Sequence, residues 1–293
     1  MLLGGCAVVG PVDNDALTTI PVRDDAGKTQ HLVARICRPD RSGPSPVAVI
    51  NHGAPRRGED LPYLQPASCT SEPARWFLAR GYVVVFALRR GYGGSSGDLM
   101  EYRGPCNDPD YWRAGKEGAR DIAAVVGYAT ALPYATRSGT VVVGQSTGGW
   151  ALMAYAEQAS ASVALVSMAG GHGHVAGGSG AVCRPDALLA AATRFGAAAR
   201  QPMLWIYAAN DQFFPPVLAA TLRDAFNAKG GKALLQVTPV YGSDGHQLLF
   251  APGGSQVWGK LLDSYLSPPP NADSLASRTR ITEAGSAWLS RKP

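Results

Sequence analysis

The sequence lacks any apolar run long enough to cross a membrane, and it carries few charges. No stretch reaches the roughly 18 consecutive apolar residues that a membrane-spanning helix needs. Charged residues make up 17% and apolar residues 46% of the 293-residue chain. This composition predicts a globular protein, and its length is sufficient for one full-sized core.

Positive charge is present but lacks the clustering that is typical of nucleic-acid-binding proteins. The formal net charge is +5 and the isoelectric point is near 9.0. The lysines and arginines are scattered along the chain rather than concentrated in a stripe with interleaved aromatic residues. We therefore expect a mildly basic, solvated surface and no nucleic-acid partner.

The five cysteines lack the spacing of a metal site, since the chain has no Cys-x-x-Cys pair and no Cys/His cluster. We therefore predict no structural zinc. Cys37 ends a strand-like run and is interpreted as a small buried apolar residue. Three cysteines lie in loop-like sequence, and among them we predict a Cys69–Cys106 disulfide, with Cys106–Cys183 as the alternative. Cross-linked loops are typical of an oxidising compartment.

The N-terminus lacks a complete export signal. Residues 3–6, Leu-Gly-Gly-Cys, resemble a bacterial lipobox, but only two residues precede them. The basic segment and the apolar stretch of roughly 7 to 15 residues that a signal peptide needs are missing. An upstream start would give a periplasmic, secreted or lipid-anchored protein, attached to the membrane only through a lipidated Cys6. A chance match would give a cytoplasmic one. We assign residues 1–16 to an N-terminal tail.

Residues 17–293 have the pattern of a single α/β domain. Two short strand-like runs, 17–22 and 31–37, predict an antiparallel hairpin at the start. Apolar strand-like runs then alternate with helix-like segments for most of the chain. This alternation predicts an α/β fold with a mostly parallel sheet of about eight strands, flanked by helices.

A stretch rich in glycine follows the sixth strand-like run. Because residues 169–180 are nearly all glycine, histidine and small residues, they cannot form a core of their own. Together with a helix-like segment they predict a lid insertion at about 169–199. His172 and His174 have no carboxylate beside them, so we interpret them as polar loop residues and predict no metal site.

Residues 140–150, Thr-Val-Val-Val-Gly-Gln-Ser-Thr-Gly-Gly-Trp, join a strand-like run to a helix-like one through Gly-x-Ser-x-Gly. This context is typical of a nucleophile elbow, in which Ser146 occupies a strained turn. Gly144 and Gly148 then let the strand and the helix pass close together. The motif is short for a chain with 35 glycines, so the hypothesis depends on partners for Ser146.

A serine nucleophile needs a histidine base, and the base needs a carboxylate. His246 lies in the loop after the last strand-like run, and Asp211 lies at the end of the run before it. The serine, the aspartate and the histidine thus follow strand ends in the order Ser, Asp, His. This order predicts a triad of Ser146, Asp211 and His246. Asp244 is a rival acid, but it is better placed to brace the loop because it lies two residues before the histidine.

The turn at residues 51–54, Asn-His-Gly-Ala, follows the first central strand. Loops at the carboxyl ends of such strands bind ligands in open α/β sheets. We predict that the backbone N–H of Ala54 is one donor of an oxyanion hole, whereas His52 is interpreted as a structural hydrogen-bonding residue.

Taken together, five motifs resemble the α/β-hydrolase superfamily, and within it the dienelactone-hydrolase-like and prolyl-oligopeptidase-like branch. The motifs lie at residues 51–53, 90–97, 144–149, 210–211 and 244–246, and the resemblance spans about residues 47–258. Dienelactone hydrolases themselves use a cysteine nucleophile, so Ser146 favours an esterase or a peptidase. The resemblance also implies a second oxyanion donor, the backbone N–H of Thr147.

We therefore expect a serine carboxylesterase that acts on a small-molecule ester and needs no metal or organic cofactor. One alternative is a small-peptide hydrolase of the prolyl-oligopeptidase type. It is disfavoured because such relatives carry an N-terminal propeller, whereas about 45 residues precede the first core strand here. The other alternative is a catalytically silent, ligand-binding lipoprotein, which the intact triad disfavours. Acyl-chain length and oligomeric state are not predicted.

Overall fold

One eight-stranded sheet runs through the computed structural model, which describes residues 15, 17–101, 104–173 and 181–267. Six α-helices accompany it in these residues. In chain order the elements are β1 Leu17–Arg23, β2 Thr29–Cys37, β3 Val47–Asn51, α1 Glu72–Leu78, β4 Val83–Ala87, α2 Tyr111–Thr130, β5 Thr140–Gln145, α3 Thr147–Tyr155, β6 Val163–Met168, α4 Pro185–Ala198, β7 Met203–Ala208, α5 Pro216–Asn227, β8 Ala233–Thr238 and α6 Gly254–Leu266.

The strands lie in the order β1-β2-β4-β3-β5-β6-β7-β8. The β1–β2 and β2–β4 pairs are antiparallel, and all other pairs are parallel. Strands β3, β4, β5 and β7 are buried at every residue, as expected for apolar runs that are covered on both faces. The predicted α/β fold, its opening hairpin and its mostly parallel sheet are confirmed.

Helices cover both faces of the sheet. Alternate residues of β3 point to opposite sides: Val47 and Val49 join one core cluster, whereas Ala48 and Ile50 join the other. The first cluster includes residues of α2, α3, α4 and α5, and the second includes residues of α1 and α6. The carboxyl ends of β3, β5 and β7 therefore open at one edge between the two layers.

Helix α6 is an element that the sequence analysis did not predict. Trp258 and Leu262, which are four residues apart and lie on one face, are fully buried. The Trp258 ring lies 5.1 Å from that of Trp76 on α1. The helix thus closes the second core cluster.

Disulfides join Cys37 to Cys69 and Cys106 to Cys183. The predicted Cys69–Cys106 bridge is therefore wrong, and its alternative, Cys106–Cys183, is present. Cys37 is bonded rather than free because the loop after β3 brings the Cα of Cys69 within 5.5 Å of it. Sequence spacing does not determine such a distance.

The two disulfides indicate an oxidising compartment, periplasmic or extracellular. Cys6, on which the predicted lipid attachment depends, lies outside the described residues. Among those residues, no helix combines the length and the apolar character that a membrane crossing requires.

The predicted lid at about 169–199 is not confirmed. Helix α4, which makes up much of its second half, packs against α2 and α5 in one helix layer. Leu188, Ala192 and Phe195 of this helix are buried in the first core cluster. Residues 174–180, and with them His174, lie outside the described part of the chain.

Candidate active site

Ser146 lies at the junction of β5 and α3, in a backbone conformation that few side-chain-bearing residues adopt. Its φ is 56° and its ψ is −122°, a combination that costs about 1–3 kcal/mol. The N–H of Ser146 donates to the Met168 carbonyl at 3.1 Å, and its own carbonyl accepts from Trp150 at 3.0 Å and Gly171 at 3.1 Å. These bonds hold the strained turn between two neighbouring strand ends.

The predicted elbow glycines lie where backbone segments touch. A Cβ at Gly144 would lie 2.3 Å from the carbonyl oxygen of Gly148. A Cβ at Gly148 would lie 2.5 Å from the carbonyl oxygen of His52, and one at Gly53 would lie 2.8 Å from Cβ of Ser146. Only glycine therefore lets the turn after β3 pack directly against the elbow.

Ala54 and Thr147, the two predicted oxyanion donors, line the same cavity as Ser146. Thr147 is the first residue of α3, so its N–H has no acceptor within the helix. The positive end of the helix dipole lies at the same point and favours a negative charge there. The described geometry is thus suited to binding an oxyanion beside Ser146.

His52 uses both ring nitrogens to hold the turn that leads to Ala54. Its Nδ1 donates to the Gly53 carbonyl at 2.8 Å, and its Nε2 accepts from the backbone N–H of Arg89 at 3.1 Å. Burial and the nearby Arg89 charge lower the pKa of His52 well below 6.5. The ring is therefore neutral and structural at neutral pH.

His246 and Asp211 form a buried pair. The imidazole Nδ1 lies 3.1 Å and 3.2 Å from the two carboxylate oxygens of Asp211. One of those oxygens also accepts from the backbone N–H groups of Phe213 and Phe214, both at 2.9 Å. The Phe213 ring stacks on the imidazole with centroids 4.3 Å apart. These contacts fix both the orientation of the imidazole and its Nδ1–H tautomer.

Asp244, the rival acid, holds the backbone instead of the imidazole. It accepts from the N–H of His246 at 3.0 Å and from that of Gln212 at 3.3 Å. Burial raises the pKa of Asp244, but the His246 N–H and the Arg56 side chain outweigh this effect and lower it overall. Asp244 therefore braces the loop that carries His246.

A cavity of about 610 Å³ brings Ser146 and His246 together. Gln145 Nε2 donates to the His246 carbonyl at 3.1 Å, which ties the elbow to the histidine loop. Over the described residues, no hydrogen bond joins the Ser146 hydroxyl to the imidazole. The structure thus forms the Asp–His half of the predicted triad and places the serine in the same cavity.

Sequence reasoning missed the charged residues at the mouth of this cavity. Arg56 pairs with Asp244 at 2.5 Å, and its guanidinium lies 4.9 Å from the centre of the Phe213 ring. Arg57 pairs with Asp60 at 3.1 Å. The signal was the arginine doublet two residues after Ala54, in the loop that follows the predicted oxyanion turn.

A second arginine doublet, Arg89 and Arg90, follows β4 and was also missed. Both side chains are only 2% exposed and form buried ion pairs. Buried guanidinium groups need such partners because desolvation of an unpaired charge is costly. Both lie at the carboxyl end of β4, next to β3, and Arg89 bonds to the His52 carbonyl and the Thr147 hydroxyl.

A model of the X-Pro dipeptidyl-peptidase (S15) family matches residues 27–235, which is more than half of the chain. The matched range includes Ser146 and Asp211 and ends before His246. No curated protein matches the sequence significantly.

Solved structures share the fold at low sequence identity. DcsB in complex with its substrate analogue superposes with a TM-score of 0.59 and 15% identity, over 86% of this chain and 98% of its own. The esterase Pf2001 of Pyrococcus furiosus superposes with a TM-score of 0.54 and 14% identity, over 90% of this chain and 100% of its own. The acylaminoacyl peptidase of Pyrococcus horikoshii superposes with a TM-score of 0.59 and 16% identity, over 91% of this chain but 44% of its own. With the family match, these similarities confirm the resemblance to α/β hydrolases.

Proposed function

The chain belongs to the X-Pro dipeptidyl-peptidase (S15) family of α/β hydrolases, and we propose that it is a serine hydrolase that cleaves small carboxylic esters. The observation that supports this proposal is the Asp211–His246 pair at 3.1 Å, whose imidazole lines one cavity with a serine on a strained elbow. A hydroxyl in this setting can be activated by the neighbouring base.

In the proposed reaction, His246 Nε2 accepts the proton of the Ser146 hydroxyl while Oγ attacks the ester carbonyl. The N–H groups of Ala54 and Thr147 donate to the oxyanion, and Asp211 stabilises the imidazolium. The C–O bond then breaks, and His246 protonates the leaving alkoxide. Water, deprotonated by the same imidazole, attacks the acyl-enzyme and releases the carboxylic acid and the free serine.

The charges at the cavity mouth favour a neutral ester over a peptide with a free N-terminus. An ammonium group needs an anionic partner where it binds. In the lining contributed by the described residues, the one carboxylate is Asp60, and it is paired with Arg57. Arg56 is paired as well, with Asp244. The mouth thus presents compensated charges, which suits an uncharged acyl group.

The second candidate is a peptidase that releases short N-terminal peptides, and the family match favours it. The two activities are separated by comparing p-nitrophenyl acetate and butyrate with Xaa-Pro p-nitroanilides and aminoacyl-naphthylamides. We expect measurable kcat/KM on the esters, weaker or no turnover of the anilides, and loss of all activity in Ser146→Ala. Faster cleavage of Xaa-Pro anilides than of esters would assign the peptidase function instead.

For partners and location we propose a small-molecule substrate, no nucleic acid, and a periplasmic or secreted protein, because the two disulfides persist in oxidising compartments. Attachment to a membrane through a lipidated Cys6 belongs to this proposal only if translation starts upstream. Metabolic labelling of the full-length gene product with a clickable fatty acid tests it. Label that is lost in Cys6→Ser supports the anchor, and an unlabelled product contradicts it.

A further inference from the structure

Arg89 is a buried cation whose charge is fully compensated. Its Nε and Nη2 both donate to the carboxylate of Glu101, the latter at 3.0 Å, and the hydroxyl of Tyr92 donates to the same carboxylate at 2.8 Å. The residue is 2% exposed. Since Glu101 satisfies the charge, the remaining donors of the guanidinium are free to hold other groups.

These remaining donors reach both sides of the proposed oxyanion hole. Nη1 donates to the carbonyl oxygen of His52 at 2.7 Å, and Nη2 donates to the Thr147 hydroxyl at 3.1 Å. The backbone N–H of Arg89 also donates to the His52 ring at 3.1 Å. Arg89 therefore binds both the turn that carries Ala54 and Thr147, the residue directly after Ser146.

The next residue shows that burial after β4 does not by itself produce these contacts. Arg90 is as deeply buried as Arg89, but its guanidinium pairs with Asp121 at 2.6 Å and Glu117 at 2.9 Å. Both acids lie on α2. Of the two neighbouring guanidinium groups, Arg89 is the one directed at the proposed oxyanion hole.

We propose that Arg89 is a positioning residue of the oxyanion hole, which rests on the proposed function. By holding the His52 carbonyl and the Thr147 hydroxyl in one rigid planar fork, it fixes the distance between the N–H groups of Ala54 and Thr147. Donors held in place before the reaction stabilise a developing oxyanion without a cost of reorganisation. A lysine, which is a point charge on a flexible stem, cannot hold both acceptors in this way.

Thr147→Val isolates this contact. The substitution keeps the backbone N–H and the shape of the side chain but removes the oxygen that accepts from Arg89. Thr147→Ser restores that oxygen. Thr140→Val is the matched control, because Thr140 is also buried and its hydroxyl donates to the Arg137 carbonyl at 3.1 Å, at the far end of β5.

We expect Thr147→Val to lower kcat for p-nitrophenyl acetate by about tenfold, less than the loss of a whole oxyanion donor, with KM and the pH profile unchanged. Phosphonylation of Ser146 by a fluorophosphonate should slow by the same factor, because charge develops on the corresponding oxygen. Thr147→Ser should recover most of the rate lost in Thr147→Val, and Thr140→Val should retain the wild-type rate.

A double-mutant cycle with Arg89→Lys assigns the effect to this pair. If the two residues act through one contact, Thr147→Val costs less in the Arg89→Lys background than in the wild type. Wild-type kcat in Thr147→Val, or equal costs in both backgrounds, would overturn the inference while leaving the proposed function intact. A wild-type protein whose Ser146 does not react with the fluorophosphonate would instead overturn the proposed function.

Discussion

An arginine forms an ion pair on each side of the cleft, but the two pairs differ in exposure. The serine side comprises the elbow at residues 146–148 and the turn at residues 52–54, and the histidine side comprises His246 and the two acids beside it. On the serine side, Arg89 is 2% exposed, and its ion pair is completely buried. On the histidine side, the Arg56 side chain is 56% exposed and pairs with Asp244, whose side chain is 10% exposed. Breaking a buried pair is costly, whereas an exposed pair contributes only about 0–1 kcal/mol. We infer that the serine side is preorganised by its buried ion pair, and that the exposed arginine adds little to the histidine side, whose imidazole is held by Asp211 and Phe213.

The largest expected loss of activity, on removal of Ser146 or His246, tests whether the two sides act as one unit. Ser146→Ala and His246→Ala should each lower kcat by about 10⁶-fold, and the double variant should be no slower than either, since neither group works without the other. Steady-state kinetics on p-nitrophenyl acetate measure all three. If the fold losses in kcat multiply in the double variant, the serine and the histidine contribute independently. The two sides would then not cooperate in one reaction.

A smaller effect separates the two acids of the histidine side. Asp211→Asn should lower kcat by about 10⁴-fold at neutral pH, because the amide favours the wrong imidazole tautomer. Asp244→Asn is the matched control, since Asp244 binds two backbone N–H groups and the Arg56 side chain rather than the imidazole. We expect it to change kcat less than tenfold. A larger loss in Asp244→Asn than in Asp211→Asn would reverse the two assignments.

The close packing of the serine side predicts a stability effect. Gly148→Ala would push a methyl group to 2.5 Å from the His52 carbonyl oxygen, and overpacking of this kind costs about 1–3 kcal/mol. Gly58→Ala serves as the control, since a Cβ there meets no atom within 4 Å. Urea unfolding measures both variants. If Gly148→Ala unfolds at the wild-type urea concentration, the serine side is not tightly packed.

Two ion pairs near the cleft, Arg90–Asp121 and Arg56–Asp244, should respond oppositely to pH. Burial raises the pKa of Asp121, which pairs with Arg90, to about 6, above its ordinary 3.8. Its contribution to folding is therefore present at low pH and lost as pH rises from about 4 to 6. The lowered pKa of Asp244 gives the reverse, with a contribution present above about pH 4 and lost as pH falls.

Unfolding free energies of the two Asp→Asn variants at pH 3.5 and pH 7 check these signs. Asp121→Asn should destabilise the protein more at pH 3.5 than at pH 7, and Asp244→Asn should do so more at pH 7 than at pH 3.5. The same sign of pH dependence in both variants would contradict the contrast between the buried and the exposed ion pairs.

The sequence predicted those features that depend on local pattern. Runs of β-branched residues marked the central strands, and strand ends in a parallel sheet meet at one edge, so the positions of Ser146, Asp211 and His246 followed from order alone. Two features could not be predicted in this way: the Cys37–Cys69 disulfide and the hydrogen bond from Arg89 to Thr147. Both depend on distances through space between segments that are far apart in the chain. Helix α4 was assigned to a lid because its alanine-rich sequence does not show that it packs against α2 and α5.

The central claim is that Ser146 is the activated nucleophile of the cleft. Reaction of the folded protein with a fluorophosphonate, followed by peptide mapping by mass spectrometry, tests it most directly. We predict a single adduct on Ser146, formed much more slowly in His246→Ala and absent in Ser146→Ala. No adduct, or an adduct on another residue that forms at the same rate in all three proteins, would contradict the account.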